Sequence, residues 1–67
     1  MKNLREYRKR ARMSANELAK AAGITITSVY RYEYGMREPS VEIAARIAKV
    51  LGCTVEDLID EKGEKTA

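Results

Sequence analysis

The 67-residue chain has no histidine, a single cysteine, a single proline and no long uninterrupted apolar run. Each scarcity removes a class of protein. Acid–base and nucleophilic catalysis commonly rests on a histidine beside a nucleophile in a cleft, and this sequence offers neither a histidine nor a Gly-rich phosphate loop. The acids Asp57, Asp60, Glu61 and Glu64 cluster toward the C-terminal end and read as solvated, so no enzyme is expected. A lone Cys53 closes no disulfide within the chain, and without histidine or a Cys-x-x-Cys pair there is no zinc set. No metal or cofactor is expected, and Cys53 reads as a small buried or interface residue rather than a reactive thiol. Signal peptides and membrane spans need long apolar runs, whereas Met1-Lys2-Asn3-Leu4-Arg5 leads straight into charged sequence. The expected setting is the cytoplasm, with no membrane partner.

What the chain does have is charge and helical pattern. Its 13 Lys and Arg against 10 Asp and Glu leave a net of only +3, unevenly spread. Lys2, Arg5, Arg8, Lys9, Arg10 and Arg12 oppose Glu6 alone at the start, a net of +5, whereas residues 54–67 set five acids against Lys62 and Lys65, a net of −3. A basic start and an acidic end suit a domain that turns one face to a polyanion. Read alone, the same basic block is a solvated helix face.

Breakers cut the chain into five short segments of helical composition, with no internal repeat and no low-complexity tract. The first helix is predicted from about Lys2 to Arg10, where Leu4, Tyr7 and Ala11 form an apolar stripe. Ser14 opens the second: its hydroxyl can accept the backbone N–H three residues on while Glu17 reaches back, a capping box. That helix is expected to end near Ala22, followed by Gly23 for a sharp reversal, Ile24 as an apolar plug and Thr25 as the next cap. The third helix, about Ile26 to Tyr34, has a rival reading, because Tyr30, Tyr32 and Tyr34 alternate with Arg31 and Glu33 as in an exposed strand. A lone strand without a partner leaves its backbone unpaired, so helix is preferred. Beyond Gly35 and Pro39, Ser40 caps a fourth helix whose Val41, Ile43, Ala44, Ile47, Ala48 and Leu51 are expected at the centre of the core. After Gly52, Thr54 with Asp57 launches a fifth, whose Val55, Leu58 and Ile59 return to the core or face a partner. A chain this short holds one core, so residues 1–61 are expected to form one all-α domain and residues 62–67 a flexible tail.

Two short helices joined by Gly23-Ile24-Thr25 make a helix-turn-helix unit, about residues 14–33. The run from Ser14-Ala15-Asn16-Glu17-Leu18-Ala19 through Gly23-Ile24-Thr25, with Val29-Tyr30-Arg31-Tyr32-Glu33-Tyr34-Gly35 and Arg37-Glu38-Pro39-Ser40, resembles the Cro and cI repressor-like (XRE-type) helix-turn-helix family. The likeness extends to Leu4-Arg5-Glu6-Tyr7-Arg8 before the motif and to Ile47-Ala48-Lys49-Val50-Leu51-Gly52-Cys53-Thr54 after it. It implies an all-α, compact five-helix lambda-repressor-like DNA-binding domain. The implied function is transcription regulation, here expected to be repression of bacterial or phage type, by a homodimer on a palindromic operator in double-stranded DNA. The second motif helix would enter the major groove. The resemblance also implies a partly buried salt bridge between Arg8 and Glu33. Two positions depart from the family pattern. Ala15 stands where Gln commonly steadies the contacts, and Ala22 stands where a larger aliphatic is common, so a tyrosine is expected to fill the space behind the turn.

Turning the third helix by roughly 100° per residue places Val29, Tyr32 and Glu33 on the body side. Thr27, Tyr30, Arg31 and Tyr34 point outward, flanked by Ile26 and Ser28. Arg31 offers a fork for the two acceptors of guanine, Thr27 and Ile26 suit a thymine methyl, and the tyrosine hydroxyls reach bases or phosphates. Base contacts are therefore expected from Ile26, Thr27, Tyr30 and Arg31. Phosphate contacts are expected from Ala15 and Asn16 at the start of the second helix, from Thr25, Ser28 and Tyr34, and from Arg37, with Arg12 adding to them. Two-fold operator logic places a dimer contact at Cys53, Val55, Leu58 and Ile59. Plainer readings stand beside these: Arg31 as a solvated charge, Tyr30 packed along the helix edge, Ile26 as the margin of the core. The alternative for the whole chain is a protein-interaction module of the same fold, an antitoxin or regulator partner with weak or no DNA binding.

Overall fold

A computed structural model describes residues 1–59; the expected domain end at 60–61, the tail 62–67 and the acids Asp60, Glu61 and Glu64 lie outside the described residues. Five helices follow in order: α1 (Leu4–Arg10), α2 (Ala15–Ala22), α3 (Ile26–Glu33), α4 (Val41–Leu51) and α5 (Val55–Ile59). Four of the five begin where a hydroxyl residue caps them. Ser14 accepts from the Glu17 N–H while its own N–H donates to the Glu17 carboxylate, the predicted capping box. Thr25 and Ser40 cap α3 and α4 through the N–H groups of Ser28 and Ile43. Thr54 and Asp57 exchange the same reciprocal pair at the start of α5. Each cap satisfies a donor that a helix cannot pair internally, an effect of about 1 kcal/mol.

The one helix that lacks a side-chain cap starts later than predicted. Asn3 is committed elsewhere: its N–H donates to the Leu58 carbonyl at 2.8 Å and its side-chain amide to the Asp57 carbonyl at 2.9 Å. The first residues therefore close the end of α5 instead of extending α1.

The amphipathic faces meet in one core around Leu4, Leu18, Val29, Ile47 and Leu58, all fully buried. The first motif helix, α2, packs on α3 and α4, while α1 and α5 close the open side. Burying each such aliphatic side chain contributes roughly 1.5–3 kcal/mol. One apolar expectation fails: Val41, the first residue of α4, is 87% exposed instead of lying in the core. Leu58, expected to return to the core or face a partner, is wholly inside. Met1, not anticipated at all, is buried, and its ammonium donates to the Tyr32 carbonyl at 3.0 Å.

Candidate nucleic-acid interface

The turn between α2 and α3 rests on Gly23, whose φ of +73° only glycine adopts without strain. Its N–H and that of Ile24 return to the Lys20 and Ala19 carbonyls, and Ile24 tucks against the core. Arg46 reaches the turn from α4: its Nη1 donates to the Ala22 carbonyl at 3.4 Å while Nη2 holds Glu42 at 2.9 Å. Nothing in the helix pattern of α4 singled out Arg46, which looks in sequence like any solvated charge.

One face of α3 is pinned to the body. Val29 and Tyr32 are buried, and the Glu33 carboxylate, 1% exposed, receives Arg8 from α1. Arg8 donates from Nε to Glu33 Oε2 at 2.6 Å and from Nη2 to Oε1 at 3.4 Å, with Nη1 spent on the Met13 carbonyl at 3.0 Å. The hydrogen bond that Arg8 donates to Glu33 holds the guanidinium above its ordinary range, against the opposing effect of burial. Arg8 is thus held inside the domain by Glu33 and Met13.

The opposite face is open. Ile26, Thr27, Tyr30, Arg31 and Tyr34 are all exposed, so the rotation inferred from the sequence holds residue by residue. The Tyr30 and Tyr34 rings stack at 6.4 Å between centroids and 19° between planes, forming one aromatic ridge beside Arg31. Among the described residues Arg31 and Arg37 have no ion pair, whereas Arg10 is held by Glu6 at 2.7 Å and lies over the Tyr7 ring. Thr25 spends its proton on Ser28 Oγ at 3.0 Å, which leaves the hydroxyl proton of the half-buried Ser28 as the one that pair can offer outward. Asn16 is exposed in the first turn of α2. At 5% exposure Ala15 packs into the core, which leaves little surface at this position.

The predicted C-terminal interface is divided in the same way. Leu58 is core, Cys53 is half-buried as a free thiol, and Val55 is half-buried while Ile59 is exposed. Val55 and Ile59 instead line an apolar groove of about 310 Å³ with Met1, Pro39, Val41 and Ala44.

A helix-turn-helix family model matches residues 4–58, which takes in all five helices almost end to end. The chain belongs to the helix-turn-helix family. An HTH-type transcriptional regulator of Methanothermobacter thermautotrophicus is 38% identical over 65 residues, covering 92% of this chain and 94% of that protein. One from Archaeoglobus fulgidus is 36% identical over 55 residues, covering 82% and 79%. Among solved structures, a chain of the SinR–SinI protein complex superposes with a TM-score of 0.81 at 32% identity, and the clp gene regulator ClgR of Corynebacterium glutamicum with 0.80 at 29%. Both superpositions cover 92% of this chain but only 61% and 66% of theirs, so the likeness spans part of those longer proteins. The relatives are HTH-type transcriptional regulators, and the fold is that of a DNA-binding helix-turn-helix regulator. Among the described residues no helix is long and apolar enough to cross a membrane.

Proposed function

We propose that this protein is a cytoplasmic, sequence-specific repressor that binds a two-fold operator as a homodimer and reads it with α3 in the major groove. The observation that carries the reading is the division of α3: Val29, Tyr32 and Glu33 lock one face, while Ile26, Thr27, Tyr30 and Arg31 stand exposed on the other. A locked helix holds its reading groups at fixed positions, which base recognition requires. Arg31 takes the bidentate contact to guanine and Ile26, Thr27 and Tyr30 read neighbouring edges. Asn16, Thr25, Ser28, Tyr34 and Arg37 position the backbone. The dimer contact is made by Cys53, Val55 and Ile59 with Pro39 and Val41 of the adjoining groove, Leu58 being held in the core. No metal or cofactor enters this scheme.

Selection of bound sequences from a random duplex pool at moderate salt tests it, with Arg31→Ala and Thr27→Ala as comparators. An inverted repeat with half-sites about one helical turn apart, blurred at specific positions by the substitutions, is the expected result. No enrichment, or enrichment unchanged in both variants, rejects it. A second reading has its own support: the SinR chain was solved with a partner protein, SinI, and the exposed Ile26, Tyr30 and Tyr34 give α3 apolar area. A protein docking on that face would bind with little dependence on salt, whereas DNA affinity falls steeply with it.

A further inference from the structure

Four of the helices end in the same hydrogen-bonded turn, and one of the four is built from the wrong residue. After α2, α3 and α4 the Gly23, Gly35 and Gly52 N–H groups return to Lys20, Tyr32 and Lys49, and the next residue's N–H returns to Ala19, Arg31 and Ala48. After α1 the same two bonds run from Arg12 to Lys9 at 2.9 Å and from Met13 to Arg8 at 3.1 Å. The glycines sit at φ of +72° to +73°; Arg12 sits at +59°, the positive-φ residue among the described ones that is not glycine. A side chain in that region is strained, and glycine is the usual occupant of this turn. Strain kept at one of four equivalent positions calls for something the arginine side chain does.

It does nothing visible within the domain. Arg12 is exposed and has no ion pair among the described residues. The neighbouring arginines are occupied, Arg8 by Glu33 and Arg10 by Glu6 and Tyr7. Arg12 also stands two residues before Ser14, the cap of α2, so its Cα lies within about 7 Å of the first turn of the motif. We propose that Arg12 is a phosphate-positioning residue: its guanidinium grips the DNA backbone beside the start of α2, and the strained turn is retained because glycine would bring no charge there. The inference rests on the DNA-reading function proposed above.

The test uses the full chain with two probes, the duplex enriched in the selection and a random-sequence duplex of equal length. Arg12→Gly and Arg12→Gln weaken binding to both by a similar several-fold factor and lower the salt slope by about 1, the signature of one lost phosphate contact. Arg12→Lys retains the affinity. Arg12→Gly alone raises the thermal midpoint by a few degrees, since it relieves the strain. Wild-type affinity and slope in both Gly and Gln variants overturn the phosphate contact. An Arg12→Gly chain no more stable than wild type overturns the strain. Failure of the wild-type chain to bind either duplex rejects the DNA reading and the role of Arg12 with it, an outcome distinct from unchanged variants of a chain that binds.

Discussion

Arg8 Nε lies 2.6 Å from Glu33 Oε2, joining α1 to the last turn of α3 across 25 residues of sequence with the carboxylate almost wholly out of water. A buried pair of this kind is most costly when only one member is removed, because the survivor keeps its charge without a partner. Glu33→Ala is expected to lower stability by about 3–5 kcal/mol, and Arg8→Met with Glu33→Leu together to restore much of that. Chemical denaturation of the two single variants and the double variant checks it; additive losses would show that the pair is not coupled.

Leu58 and Ile59 are adjacent in sequence but belong to different surfaces. Leu58→Ala opens a cavity under α1 and α5 and is expected to cost about 2–5 kcal/mol at any protein concentration. Ile59→Ser leaves the core alone and is expected to shift the monomer–dimer equilibrium while the monomer stays folded. Sedimentation equilibrium beside thermal melts separates the two; a dimer that tolerates Ile59→Ser moves the interface away from the groove.

Thr25 caps α3 through the Ser28 N–H at 3.1 Å. Thr25→Ala is expected to cost about 1 kcal/mol, and Thr25→Asp to recover most of it, because a carboxylate also accepts there and complements the helix dipole. Affinity for duplex DNA should fall in Thr25→Asp, since the aspartate repels the backbone. Undiminished affinity in Thr25→Asp would mean that position 25 stands away from the phosphates.

Burial, with the nearby Asp57 carboxylate adding to it, pushes the Cys53 thiol above its ordinary value. The unfolded chain therefore releases this proton first. The stability tied to the neutral thiol is fully present below the unfolded thiol's pKa and is lost as pH rises through the folded value. Denaturation midpoints at about pH 7.5 and about pH 9.5 are expected to fall further for wild type than for Cys53→Ala. Equal alkaline losses would assign the effect to other groups.

The helix boundaries were legible because the caps are local chemistry: Ser14 with Glu17, Thr25, Ser40, and Thr54 with Asp57 each announce a start within four residues of sequence. The outward set on α3 was legible because a fixed rotation per residue needs one buried anchor, and Val29 supplies it. Long-range partners were not. Asn3 is drawn off α1 by carbonyls of α5 more than fifty residues away. Arg46 reaches the Ala22 carbonyl from another helix. Apolar character alone does not separate Leu58 from Val41, since both are aliphatic residues on amphipathic helices and only the packing of neighbouring helices decides which is covered. Ala15 shows the converse: read as an exposed first-turn amide, it is small enough for the core to close over it.

The repeated turn that ends α1 through α4 leaves few joints that bend. Each connection begins with bonds back into the helix it leaves; those at 11–14, 23–25 and 52–54 are short while that at 34–40 is longer, and at three of four the turn is set by a glycine angle that varies by a single degree. A domain assembled this way meets a duplex as a stiff template with a fixed outline. Any mismatch in groove width or curvature is then accommodated by the nucleic acid, so flexible pyrimidine–purine steps at base pairs the protein never touches would contribute to the choice of site.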